Sequence, residues 1–86
     1  MRITFTGPAA REAEEAANWY WERSGDRVRN VLRHQPGLGT PGVRGTRKLS
    51  LDRFPYTLVY RIDGDIVRVL AFMHQSRRPD YWRHRR

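Results

Sequence analysis

The chain contains no cysteine. That excludes a disulfide framework and any thiolate metal centre, and it suits a reducing compartment. Nor is there an apolar run near the roughly 18 residues that a transmembrane helix needs, so no membrane partner is expected. Met1-Arg2 leads into a short strand-like run and Gly7-Pro8 rather than an apolar signal core. No secretory leader is therefore expected, and the cytoplasm is the expected location. Glycine-rich phosphate loops and dinucleotide fingerprints are missing. His34, His74 and His84 stand far apart and lack paired carboxylates at ligand spacing, so no metal and no cofactor are expected. No Ser or Thr occupies a nucleophile elbow. Acidic residues are also scarce: nine Asp and Glu stand against seventeen Lys and Arg, for a net charge of +8.

What is present fits one small domain, residues 1–86, with residues 79–86 expected as a flexible basic tail. Only 38% of residues are hydrophobic, but three Trp, four Tyr and three Phe supply large burial per side chain. The charge is lopsided. Residues 1–35 carry six cations and five anions, and residues 36–86 carry eleven cations and four anions. Sixteen of the seventeen cations are Arg, the side chain that makes forked contacts with phosphate and carboxylate. A nucleic acid or an acidic protein surface is the implied partner. A genome-wide arginine bias would also enrich Arg, but it does not account for the uneven placement.

Ile3-Thr4-Phe5-Thr6 alternates as a strand does, and Gly7-Pro8 ends it. Residues 9–23 read as a helix with Ala10, Ala13, Ala17 and Tyr20 on one face and Glu12, Glu14 and Glu15 in its first turns. Ser24-Gly25-Asp26 breaks the pattern and caps a second helix whose apolar face is Val28, Val31 and Leu32. Residues 36–42 are a Pro/Gly loop. Strands follow at 44–50, 56–62 and 66–73. The middle one places Tyr56, Leu58, Tyr60 and Ile62 on one face and Thr57, Val59 and Arg61 on the other. Asp63-Gly64 supplies the tight turn between the last two. The expected class is α+β, in the order β-α-α-β-β-β, with two helices on one face of a small, mostly antiparallel sheet.

The chemistry-bearing residues gather near the last strands. Cleavage of RNA through its 2′-hydroxyl needs a proton acceptor, a stabiliser of phosphorane charge and a proton donor. Arg61, His74, Arg77, Arg78 and Tyr81 supply these types without a metal, and Arg44, Arg47, Lys48 and Arg53 are candidates for contact with phosphate or an acidic target. Each also has a structural reading. Tyr56 and Tyr60 suit the core, Arg61 suits an ion pair with Asp63 or Asp65, and His74 suits a structural hydrogen bond. Trp82 suits a lid over the core. The terminal Arg83–Arg86 run suits a frayed end. Trp19, Tyr20 and Trp21 cannot all face one core, so at least one is expected on a partner surface.

Pro36-Gly37-Leu38-Gly39-Thr40-Pro41, Arg47-Lys48-Leu49, Phe54-Pro55-Tyr56, Leu58-Val59-Tyr60-Arg61 and His74 through Trp82 occur in an order that resembles the RelE/ParE superfamily of toxins from bacterial toxin–antitoxin modules. Ala16-Ala17-Asn18-Trp19-Tyr20 resembles the end of that family's first helix. The resemblance implies a growth-inhibiting toxin neutralised by an acidic, partly disordered antitoxin, with Trp19, Trp21, Arg29 and Trp82 as antitoxin contacts. It implies one of two targets: DNA gyrase for ParE-like members, or mRNA on the ribosome for RelE-like endoribonucleases. A relative that binds antitoxin without toxicity is a third possibility. Relative to the family's longer helical hairpin, the stretch from Tyr20 to Pro36 is short by roughly three turns, on the order of 15 Å of helix. The RelE-like nucleases tend to carry arginine directly before Leu-Val-Tyr; here that residue is Thr57, which moves the resemblance toward ParE.

Overall fold

The computed structural model describes residues 2–16, 20–51, 55–78 and 80–85, with the side chains of residues 16 and 20–26 left aside. The elements run β1 (Arg2–Phe5), α1 (Gly7–Ala16), α2 (Tyr20–His34), β2 (Thr40–Pro41), β3 (Thr46–Ser50), β4 (Tyr56–Asp63) and β5 (Ile66–His74). The strands form one sheet in the order β1-β5-β4-β3-β2. β1 is parallel to β5, and the other pairings are antiparallel. The α+β class and the mostly antiparallel sheet are as expected. The short β2 is an addition: Thr40 and Pro41, read as loop, pair with Lys48 and Arg47. Pro41 is tolerated there because β2 is an edge strand.

The helix boundaries differ from the sequence reading. Ser24-Gly25-Asp26 lies inside α2, which begins at Tyr20. One interior glycine costs only about 1 kcal/mol. A break at that point would leave several backbone N–H groups without partners. α1 starts earlier than expected, because Thr6 caps it. The Thr6 hydroxyl oxygen accepts from Ala9 N–H at 3.1 Å and its proton goes to Leu70 O at 3.3 Å. Ala9 and Ala13, one turn apart, are the buried helix face. Glu12 is consequently in the second turn rather than the first, and it has a different task from offsetting the helix dipole.

The sheet has two covered faces. On one, α1 and α2 bury Leu58, Tyr60, Val67, Val69 and Phe72 with Ala9, Ala13, Val28 and Leu32. Tyr56 and Ile62 pack against the same cluster, so the alternation in β4 is as expected. On the far face, Val59, Leu70, Ala71 and Met73 lie under Trp82. Residues 80–85, expected as a flexible basic tail, fold back in successive turns (Arg83 N–H to Asp80 O at 3.1 Å, Arg85 N–H to Trp82 O at 2.9 Å). Trp82 is 2% exposed. The reason is physical: a two-faced apolar strand such as β5 needs cover on both sides, and the helices supply only one. No helix of the described residues is long and apolar enough to cross a membrane.

Candidate functional site

β5 decides which side chains meet. Val59 pairs with Ala71 and Tyr60 with Val69, so Leu70 is an extra residue in the ladder, a β-bulge. The bulge reverses the alternation of everything after it. Phe72 and His74 thereby join the helix face, paired across from Leu58 and Tyr56. Arg61 stays on the far face, opposite Arg68. Arg61 and His74, expected in one cluster, are thus on opposite faces of the sheet, while Tyr81 packs against the far-face apolar cluster and reaches round to Glu12.

On the helix face, a hollow of about 180 Å³ is lined by Glu12, Glu15, Tyr56, Phe72, His74, Arg77 and Tyr81. His74 Nδ1 accepts from the Ser76 N–H at 3.0 Å and lies 2.7 Å from its hydroxyl, which leaves the proton of the neutral ring on Nε2. The ring stands edge-on to Tyr56 with centroids 5.1 Å apart. Tyr81 is clasped between Arg77 and Arg85, whose guanidinium carbons lie 4.2 and 4.8 Å from its ring centroid. Its hydroxyl donates to Glu12. Burial, then the Glu12 hydrogen bond and the Glu12 charge, push the phenol up to about 12, against the smaller opposing pull of Arg85 and Arg77. At neutral pH such a phenol keeps its proton and acts as a fixed donor. Arg85 is already bound to Glu12, and Glu15 shares the hollow with Arg77, so no surplus of cations is left there for a phosphate. Arg78 is exposed and does not line the hollow.

Glu12 was read only as one of three acids in the first helical turns, and it is the hub of this side. Its Oε1 accepts from Phe72 N–H at 3.2 Å and from Arg85 Nη1 at 2.6 Å. Its Oε2 accepts from Tyr81 and from Arg85 Nη2 at 3.3 Å. Arg85 also donates to Leu70 O at 3.1 Å. The terminal run is therefore anchored at Arg85 rather than frayed. The available signal was an acid one residue from the buried Ala13, on an otherwise small-residue helix face.

On the far face, a groove of about 460 Å³ is lined by Arg44, Thr46, Arg61, Leu70, Trp82, Arg83, His84 and Arg85. Arg61 pairs with Asp63 at 3.0 Å and Arg83 with Asp80 at 3.5 Å. Both pairs are well exposed, a class worth about 0–1 kcal/mol, so a stronger anion displaces them readily. Arg44 adopts φ 56, a left-handed conformation unusual for a residue with a Cβ. It reaches the Arg83 carbonyl at 3.4 Å.

The remaining candidates have separate positions. Arg47 donates to Gly37 O and Gly39 O at 3.2 and 2.8 Å and so braces the loop before β2. Tyr60 does the same from the core: its hydroxyl donates to Pro36 O at 2.6 Å and accepts from Gly39 N–H at 2.9 Å. Lys48 lies over Trp82, 5.9 Å from the ring. Arg29 lies over Phe5 at 5.7 Å. It joins Arg27, Asn30 and Arg33 in a basic patch on α2. It also borders a hollow of about 280 Å³ formed by Phe5, Ala10, Ala13 and Glu14. Trp82 is buried and presents no free surface. Trp19, Arg53 and the Trp21 side chain lie outside the described residues.

Residues 3–79 match the family model described as ParE toxin of the type II toxin–antitoxin system, parDE. A chain of a solved structure, the chromosomal ParDE TA system from P. aeruginosa, matches with a TM-score of 0.60 and 23% sequence identity, over 86% of this chain and 95% of that one. At that identity the likeness bears on the fold alone. No match was found among curated proteins.

Proposed function

Since the chain belongs to the family of ParE toxins of type II toxin–antitoxin systems, we propose that it arrests bacterial growth by acting on DNA gyrase and that a cognate antitoxin neutralises it in the cytoplasm. The observation that carries the choice of target is the division of the ribonuclease candidates by the sheet. Arg61 is on the far face, whereas His74, Arg77 and Tyr81 border a hollow holding Glu12 and Glu15. General acid–base cleavage needs proton-transfer groups and cations within hydrogen-bond reach of one phosphate. Here the tyrosine is committed to Glu12. Thr57, where RelE-like nucleases tend to have arginine, is 7% exposed and supplies no cation. A target engaged by docking rather than by cutting fits this arrangement.

The antitoxin is read as an acidic segment that engages the α1–α2 side. Arg27, Arg29 and Arg33 supply positive charge there, and the hollow beside Phe5, Ala10 and Ala13 accepts an apolar side chain. Expression of the chain alone is expected to stop growth, and co-expression of the antitoxin encoded beside it to restore growth. Normal growth in cells holding soluble, folded protein would reject the toxin reading in favour of an inactive antitoxin-binding relative.

A further inference from the structure

We propose that the far-face groove binds the sugar–phosphate backbone of a nucleic acid, and that in the arrested gyrase complex it rests on the DNA. Only the second clause depends on the gyrase reading; backbone binding stands on the groove itself. Three parts of the fold deliver its cations. Arg44 comes from the turn before β3, Arg61 from β4, and Arg83 and Arg85 from the C-terminal turns. The carboxylates that face them are Asp63 on Arg61, Asp80 on Arg83 and Glu12 on Arg85. The last pair is inward and committed, and the first two are solvent-facing. Arg44, among the described contacts, meets only the Arg83 carbonyl. Its left-handed backbone is the kind of local strain that collects at binding sites.

The make-up of the groove selects phosphate over a protein surface. Protein–protein interfaces centre on exposed aromatic and apolar anchors. The apolar lining residues here, Leu70 and Trp82, are each 2% exposed and offer no anchor. Among the described residues the exposed large hydrophobics are Leu38 and Val43, and neither lines the groove. Arginine-lined surfaces without exposed apolar anchors are the pattern of nucleic-acid interfaces. The absence of accessible aromatic faces implies contact with the backbone and little selection of base.

The test is a fluorescence anisotropy titration of the purified full chain against a short labelled DNA duplex and an RNA of equal length, at several salt concentrations. Binding is expected to weaken linearly in log–log form, with a slope of about −0.9 per phosphate neutralised on a duplex. The double variant Arg44→Asn, Arg83→Gln is expected to lose about tenfold or more in affinity at low salt and to flatten the slope by about two. Both side chains are exposed, so the variant should melt with the parent; Arg83→Lys alone, which keeps the charge, should bind close to the parent. Arg27→Gln, Arg33→Gln on α2 serves as the comparison and should leave binding intact. Whichever nucleic acid binds tighter, dependence on Arg44 and Arg83 supports the proposal and the preference identifies the backbone met. Three results overturn it: no binding of either nucleic acid, binding lost with the α2 variant instead, or binding only of an acidic polyglutamate peptide.

Discussion

Replacing Glu12 by Gln tests how the C-terminal turns are held. The substitution keeps the shape and removes the charge that Arg85, Tyr81 and the Phe72 N–H share. The Arg85 and Glu12 side chains are 12% and 15% exposed. The pair thus lies between the surface class, worth about 0–1 kcal/mol, and the buried class, in which loss of one partner costs about 3–5 kcal/mol. A loss of about 2–3 kcal/mol follows, because the largely buried Arg85 charge keeps only neutral partners, the Leu70 carbonyl, the Tyr81 ring and the new amide oxygen. In a domain of this size that lowers Tm by about 10–20 °C. Trypsin should also cut after Arg83 faster than in the parent, since the latch is what ties Arg85 to α1. Arg85→Gln measured alone and with Glu12→Gln completes a double-mutant cycle, in which the coupling should be a large share of either single loss. A fall of less than about 3 °C with unchanged tryptic cutting would refute the latch.

Other consequences are more local. The folded Tyr81 phenol titrates at about 12, above its ordinary 10.0, so folding favours the protonated form. That contribution is whole below pH 10 and is lost as pH rises toward 12; Tyr81→Phe should remove this part of the alkaline decline, read by urea midpoints from pH 8 to 11. A Cβ on Gly39 would fall 2.7 Å from Tyr60 Oη and 3.0 Å from Cε1. Gly39→Ala should therefore cost about 1–3 kcal/mol in a denaturant melt. Trp82→Ala uncovers Val59, Leu70, Ala71 and Met73 and should cost about 3–5 kcal/mol, with increased binding of an apolar dye. His74→Ala, in the lining of the helix-face hollow, should leave growth arrest intact; loss of arrest in a variant that melts like the parent would revive the ribonuclease reading.

Much of the fold was legible because its signals are local. Tyr56-Leu58-Tyr60-Ile62 against Thr57-Val59-Arg61 states which face of β4 meets the helices, and Asp63-Gly64 states where the chain turns. The helix break was not legible: Ser24-Gly25-Asp26 has the local chemistry of a cap, and the helix continues through it. The site was misplaced for a related reason. β5 is apolar on both faces, so no alternation reports the direction of His74, and one bulged residue at Leu70 moves it from the Arg61 side to the helix side. Counting by twos from Val67 leads to the wrong face. The Glu12 latch joins residues 69 and 73 positions apart, beyond any pattern visible in a window of sequence. The positive charge of the second half was legible as a total, whereas its division between the groove, the loop braces of Arg47 and the Tyr81 clasp depends on tertiary contacts.

The central claim, a ParE-type toxin that acts on gyrase without a ribonuclease centre, is tested most directly with purified components. The chain is incubated with gyrase, ATP and supercoiled plasmid, and the DNA is resolved after protein denaturation. The account predicts linear plasmid that increases with toxin and disappears when antitoxin is added. The contradicting result is plasmid left uncut while the same preparation cleaves mRNA on translating ribosomes.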